Sequence, residues 1–389
     1  MKTFQEPSKY SNIEREYLDK FIDCDKPDLG WVAEFEKKFA ALTGRKFAIA
    51  VNSATGGLHA AMFASDVKEG DEVISPALTV VMDSYVTIFE NAIPVYADLN
   101  IKTHNIDIQD VKSKITSKTK AIIGVSWQGL PCEVDALLAL TKDKNITVID
   151  DSAQTLFSSP EMNSQQGKAD ISVYSFEEKK HITTGSEGGM VVTDSEELAE
   201  KIRKFAGIGY KHLTASAGRT SLAKSTSQRP SYIRFDTIGL NYRMNEVSAC
   251  LGIAQLSRIK EILDYRKTNA NIFIDVLKDY PDIFDLQECC VENSYYTVGA
   301  IYKGKASWED FYNSYVSKGA ASFYAAVANP YFEESMNKYL KLNGWKKGMC
   351  PTAEYIQANL MAFKTNYRNH DQCIHDSILL RETIEEMGL

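Results

Sequence analysis

No stretch of the 389-residue chain holds the roughly 18 consecutive apolar residues that a membrane-spanning helix requires. Residues 1–21, MKTFQEPSKYSNIEREYLDKF, carry no apolar core of the secretory type, so a cytoplasmic location is the expectation. Basic residues do not dominate: 44 Lys and Arg stand against 52 Asp and Glu, a formal net charge of −8. That balance argues against a nucleic-acid-binding face, although a local cluster of donors can still hold an anionic substrate. The cysteines, at 24, 132, 250, 289, 290, 350 and 373, are odd in number, and no pair has zinc-ligand spacing. Reduced thiols without a function are the reading for a cytoplasmic chain, the adjacent Cys289 and Cys290 included. The Gly-x-Gly at Gly207-Ile208-Gly209 falls at the expected end of a helix and lacks the third glycine of a dinucleotide fingerprint, which counts against a nicotinamide-dependent oxidoreductase. Internal repeats and low-complexity tracts are also missing.

What remains is an ordinary globular composition, 44% apolar and 25% charged, in a chain long enough for a large α/β domain and a smaller one. Residues 31–43 repeat apolar positions at helical spacing, and Gly44 is placed to end that helix. A β-rich run at 46–53 is followed by helical periodicity. The alternation then continues. Residues 71–77, 93–99, 120–127 and 146–152 read as buried strands, with helices over 85–92, 107–115 and 134–143 between them. Two further strands, 171–176 and 188–194, flank a polar turn, and Ser195 is the N-cap of the next helix. Such alternation predicts a mainly parallel sheet covered by helices on both faces. Residues 212–234 are rich in Ser, Thr and Ala without periodicity and read as a mobile loop or lid. Helices resume after Met244, and the remainder reads as a smaller α+β unit, which divides the chain into 1–255 and 256–389.

Chemistry concentrates in residues 174–190, YSFEEKKHITTGSEGGM. Taken alone, Lys179 and Lys180 are a solvated pair on a turn. Their company changes the reading. Ser175-Phe176, three residues, Lys180 and then Thr183-Thr184-Gly185-Ser186-Glu187-Gly188-Gly189 resemble the lysine motif of the DegT/DnrJ/EryC1/StrS family of sugar aminotransferases. Ser186 is one residue extra to that pattern. Residues 51–59, VNSATGGLH, resemble the family's phosphate turn; residues 148–156, VIDDSAQTL, its strand end; residues 239–252, GLNYRMNEVSACLG, its Asn-Tyr-Arg-Met signature; and residues 350–354, CPTAE, a late motif. The five occur in the family's order and span nearly the whole chain, most strongly from 46 to 255.

The resemblance implies a fold-type I, aspartate aminotransferase-like enzyme dependent on pyridoxal 5′-phosphate (PLP). By matched position Lys180 is the imine-forming residue. Ala54, Thr55 and Gly56 meet the phosphate, where a small-residue turn opening a helix presents backbone N–H groups. Asp151 faces the pyridine nitrogen, Gln154 the ring hydroxyl, and Ser175 belongs to the same set. Asn241 reaches the phosphate of a neighbouring subunit, which implies a homodimer. The implied reaction moves an amino group from L-glutamate or L-glutamine to a keto sugar, most often nucleotide-linked, in amino-sugar biosynthesis for surface polysaccharide or secondary metabolites. A cyclitol or an unactivated sugar ketone or aldehyde remains open as acceptor. Residues 317–335, rich in aromatic and small side chains, read equally as acceptor-pocket lining and as ordinary packing. Where many relatives carry an aromatic side chain against the ring, this sequence has Val80, which predicts weaker stacking. Two rivals stand beside this reading: a sugar 3-dehydratase on the same fold, in which histidine replaces the lysine, and a non-catalytic regulatory protein. Lysine at 180, with His181 displaced by one position, disfavours the first. The joint presence of Lys180, Asp151 and Asn241 disfavours the second.

Overall fold

The computed structural model describes residues 9–25, 30–163, 168–218, 224–289, 291–324 and 327–388. Cys290 and parts of the segments 212–234 and 317–335 therefore lie outside the described residues.

Seven strands form the main sheet: β1 (Phe47–Val51), β2 (Glu72–Pro76), β3 (Ile93–Ala97), β4 (Thr119–Val125), β5 (Thr147–Asp151), β6 (Ile171–Ser175) and β7 (Gly189–Thr193). Their order is β1-β7-β6-β5-β4-β2-β3. Pairings from β6 through β5, β4 and β2 to β3 are parallel, as the alternating pattern predicts. β7 departs from it, running antiparallel to both β1 and β6. The reason lies in the connection 176–188, which contains no helix: a parallel return needs a crossover, usually helical, and this one is spent on a polar turn. Because β1, β5 and β6 share one direction, Val51, Asp151 and Ser175 finish at the same edge, where β7 begins with Gly189.

The helix Ala54–Ala64 follows β1 and is buried on most sides, its small residues letting it lie close to the sheet. Trp31–Thr43 ends at Gly44, which adopts φ 64, and packs Phe35 and Phe39 against Tyr174 and Phe176. The helix expected over 85–92 runs instead over Met82–Phe89, which places Asp83 in its first turn. Ser195 caps Glu196–Ala206 as expected, its hydroxyl accepting from the Leu198 N–H. Between 212 and 234 a four-residue helix, Lys224–Ser227, stands where the sequence offered no periodicity.

Towards the C-terminus β8 (Phe284–Leu286), β9 (Thr297–Tyr302) and β10 (Leu360–Lys364) form an antiparallel sheet in the order β10-β9-β8. The long helix Ile259–Lys278 and the helix His370–Glu386 cover it. Phe273, Phe311, Tyr315 and Phe363 fill the space between, with Phe273 and Phe363 stacked at 5.0 Å. Burial of these aromatic side chains is the main stabilisation of this layer, roughly 2–3 kcal/mol for each one removed from water.

A lysine and an aspartate at one edge of the sheet

The sequence-nominated residues come together at the carboxyl ends of β1, β5 and β6, where open α/β sheets hold their ligands. Ser53 caps the helix Ala54–Ala64: its hydroxyl accepts the Gly56 N–H at 3.1 Å, and its carbonyl accepts the Gly57 N–H at 3.1 Å. Ala54 and Thr55 occupy the first two helical positions, whose N–H groups have no partner within a helix. They are the donors this turn offers to an anion, reinforced by the helix dipole. The Gly56 N–H is already committed to Ser53, and what Gly56 contributes is space, since a Cβ there would lie 3.0 Å from the Tyr242 ring and 2.9 Å from Asn52 Oδ1. Gly189 opposite is as constrained: a Cβ would lie 2.7 Å from both the Ala54 nitrogen and the Ser53 carbonyl carbon.

Asp151 ends β5 and is buried. Its Oδ1 accepts the Ala153 N–H at 2.9 Å. Burial raises its proton affinity, against the Ala153 hydrogen bond and the Lys180 charge, which both favour the carboxylate. Gln154 is buried three residues on, and its Oε1 accepts the Gln128 N–H at 2.9 Å, which orients the amide and leaves its NH2 group as the one presented elsewhere. Ser175 ends β6 and accepts the Glu177 N–H at 3.3 Å.

Lys180 sits in the turn beyond β6. Its N–H donates to the Glu177 carbonyl at 2.9 Å, and its Nζ lies 4.5 Å from the centre of the Tyr296 ring. Burial lowers its proton affinity; the Asp151 and Glu177 carboxylates oppose that, and the Arg266 and Lys179 charges add to it. A lysine so placed has more of the neutral, nucleophilic amine at neutral pH than an exposed one. Lys179 points elsewhere, its Nζ 5.7 Å from the centre of the Tyr324 ring. Ser186, the extra residue, is absorbed downstream: it bridges to Glu177, while the Phe176 N–H still reaches the Gly188 carbonyl at 2.8 Å. His181 is turned inward, its Nε2 3.0 Å from the Ser294 carbonyl, and burial keeps it neutral.

Asn241 is exposed, its Oδ1 accepting from Arg243 Nε at 3.1 Å. Its backbone bridges to Gly207, and the next residue binds the phosphate turn, the Asn52 N–H donating to the Tyr242 carbonyl at 2.7 Å. Tyr242 is held in turn by His59, whose Nδ1 lies 2.9 Å from its hydroxyl and whose Nε2 lies 3.0 Å from Glu90. Val80 is 47% exposed, so its side chain covers little protein of its own chain. Thr79 beside it pairs with Ala328, and Asn329 donates to the Ala77 carbonyl at 2.8 Å, so part of the 317–335 segment is fastened to the loop that carries Val80.

Several residues of the site escaped the sequence. Asp83 is fully buried, accepts from Thr79 at 3.0 Å through Oδ2 and has no partner on Oδ1; burial, then the Asp151 charge, pushes its carboxyl well above the usual range. The available signal was an acidic residue in an otherwise apolar helix start. Tyr296 and Arg266 gave none, being far from every motif. Among the described residues no group of His, Cys, Asp and Glu is placed to hold a metal ion, and no helix is long and apolar enough to cross a membrane.

A helix start with free N–H groups, a buried carboxylate and a desolvated lysine meet at one edge of a mainly parallel sheet, and the chain is a fold-type I transferase of the PLP-dependent class. The match to the family model is more specific: residues 15–366 fit the DegT/DnrJ/EryC1/StrS aminotransferase family, and the chain belongs to it. GDP-perosamine synthase of Escherichia coli O157:H7 is 31% identical over 338 residues, covering 84% of this chain and 86% of that one. Among solved structures, an aminotransferase from Psychrobacter cryohalolentis superposes with a TM-score of 0.85 at 24% identity, over 98% of this chain and 99% of the other. A GDP-4-keto-6-deoxymannose-3-dehydratase superposes with a TM-score of 0.81 at 24% identity, over 96% and 98%. The two structural likenesses establish the fold and are shared by a transferase and a dehydratase.

Proposed function

We propose that this chain is an aminotransferase that uses PLP to move an amino group from L-glutamate or L-glutamine to a keto sugar, with Lys180 as its catalytic lysine. The observation that carries this reading is the meeting of Lys180, Asp151 and the Ala54–Thr55 helix start at one edge of the sheet. When bound, PLP supplies an electron-withdrawing ring that carries the amino group between the two substrates. Ala54 and Thr55 hold the phosphate through their N–H groups. Asp151 keeps the ring nitrogen protonated, and a protonated nitrogen beside it in turn favours the Asp151 carboxylate. The Gln154 amide donates to the ring hydroxyl. Ser175, ending the strand beside Asp151, supports the phosphate side of the cradle. The Lys180 ε-amine would take the donor's α-proton and later return a proton to the acceptor carbon, being tethered within reach of both. Its depressed proton affinity suits it to the first of these steps.

The acceptor class follows the relatives. A synthase of GDP-perosamine aligned over most of both chains supports a nucleotide-linked keto sugar. The half-exposed Tyr324, and the fastening of Ala328 and Asn329 to the Val80 loop, support the 317–335 segment as one wall of the acceptor pocket. Asn241, exposed and backed by the Tyr242–His59–Glu90 chain, is held ready to reach a neighbouring subunit's phosphate in a homodimer. Lysine at position 180 favours transamination over the dehydratase alternative, in which a histidine stands there.

The test is an absorption spectrum of the protein with added PLP, before and after L-glutamate. A visible band that bleaches with glutamate and is absent in Lys180→Ala is expected. A band unmoved by both glutamate and glutamine refutes the donor assignment, and no band at all removes the central claim.

A further inference from the structure

Arg266 projects from the middle of the helix Ile259–Lys278 and is 4% exposed. A buried guanidinium ordinarily has a carboxylate partner. Among the described residues Arg266 makes no ion pair. Four hydrogen bonds from its two terminal nitrogens go to neutral oxygens instead: Nη2 to the carbonyls of Lys179 and Lys180, both at 2.8 Å, and Nη1 to Thr365 Oγ1 at 3.1 Å and the Tyr296 carbonyl at 3.3 Å. Thr365 Oγ1 donates onward to the Tyr295 carbonyl at 2.6 Å. One planar fork thus binds the two carbonyls of the lysine turn on one side and the edge of the C-terminal sheet, beyond β10 and before β9, on the other. The charge itself is also near the reactive amine. Arg266 lies 5.9 Å from the centre of the Tyr296 ring and Lys180 Nζ lies 4.5 Å from the same centre, which puts the two cations within about 10 Å of each other.

We propose that Arg266 is the positioning residue for Lys180, fixing the backbone of the lysine turn against the C-terminal sheet and standing as an uncompensated positive charge beside the ε-amine. The purpose rests on the role of Lys180 argued above; the physical claim does not. Five groups face the amine: Asp151 from β5, Glu177 and Lys179 from its own turn, Arg266 from the long helix, and the Tyr296 ring from the segment before β9. Two are acidic and pull its proton affinity up, two are cationic and pull it down, and burial adds to the cations. Burial lowers the proton affinity of Arg266 itself to about 10, still far enough above neutrality to keep it charged. At an effective dielectric constant near 20, a unit charge about 10 Å away shifts the lysine by about one pH unit.

The test uses apoprotein and amine-selective labelling across a pH series, with modification at Lys180 read by peptide mass, so that no turnover is needed. In Arg266→Gln the labelling midpoint of Lys180 is expected about one unit higher than in wild type. In Arg266→Lys, which keeps the charge and loses the fork, the midpoint is expected within about 0.3 unit of wild type, while the rate at which added PLP generates the visible band falls at least fivefold. An unchanged midpoint in Arg266→Gln, or an equal rise in both variants, overturns the electrostatic role. Band formation by Arg266→Lys at the wild-type rate overturns the positional one. Should Arg266→Gln fail to fold, Arg266→Met carries the same comparison: a rise of about one unit is expected, and an unchanged midpoint overturns the electrostatic role. A wild-type protein that binds no PLP refutes the proposed function and leaves the labelling result to stand by itself.

Discussion

Replacing Gly189 with alanine tests whether the turn after β1 holds the cofactor's phosphate. The new Cβ would sit 2.7 Å from the Ala54 nitrogen, 2.7 Å from the Ser53 carbonyl carbon and 2.9 Å from the Ser53 oxygen, all of them backbone atoms. Ordinary contact begins at about 3.4 Å, so something must yield by roughly 0.7 Å. Gly189 cannot be the part that moves, because it pairs with Val51 on one side and Ser175 on the other. The strain falls on Ser53 and Ala54, the start of the phosphate turn. Overpacking of this kind costs about 1–3 kcal/mol of stability. Misaligning one charge-assisted N–H to a phosphate oxygen costs a further ~1.5–3 kcal/mol of binding, or about ten- to a hundredfold in the PLP dissociation constant. Urea unfolding of apoprotein measures the first effect and titration with PLP the second. Gly70→Ala is the control: Gly70 also has a constrained backbone, at φ 83, but a Cβ there meets nothing within 4 Å, so stability falls slightly and PLP affinity stays unchanged. Wild-type affinity in Gly189→Ala, with the expected loss of stability, would refute the assignment of the phosphate to Ala54 and Thr55.

Three more outcomes are expected. His104 is buried, and burial lowers its proton affinity to about 4, so protonation favours the unfolded chain, whose histidine titrates near 6.5. Its stabilising contribution is therefore intact above pH 6.5 and shrinks as pH falls towards 4. Urea midpoints should show about 2 kcal/mol lost between pH 8 and pH 5, and His104→Asn, which tolerates the local φ of 58, should remove that part of the slope. Glu36 accepts from both terminal nitrogens of Arg203, at 2.9 and 3.1 Å, and from the Ala50 N–H at 2.9 Å, with both side chains largely buried. Glu36→Gln leaves the guanidinium uncompensated and should cost about 3 kcal/mol in equilibrium unfolding, part of which Arg203→Met in the same chain restores. Val80→Phe should slow PLP release about two- to tenfold by adding ring stacking, as followed by transfer of PLP to an apo acceptor; release at the wild-type rate would show that position 80 does not face the ring.

What the sequence determined by itself was local and periodic. Strand–helix alternation announced a mainly parallel sheet because a strand buried on both faces must be apolar through its middle, as Val73–Ile74, Ala121–Ile123 and Val148–Ile149 are. Gly44 and Ser195 announced helix ends because few residues suit those backbone positions. Lys180 was singled out by resemblance to the family's motif, in which the lysine follows Ser-Phe after three residues, and the extra Ser186 did no harm because it lies beyond the lysine, in a turn able to absorb it. Tertiary structure decided what depends on partners distant in the chain. The helix-free connection 176–188 reverses β7 against β6, but its second neighbour, β1, lies more than a hundred residues from β6 in the chain, and only the folded sheet brings them to its two sides. The Gly56 N–H looked like a phosphate donor until the Ser53 hydroxyl was found on it. Asp83 stood before the helix expected over 85–92, and only its place in the folded chain, where burial and the Asp151 charge both act on it, makes it a buried carboxyl. Arg266 carried no signal at all, because its partners are backbone carbonyls, which every residue possesses and no sequence pattern marks.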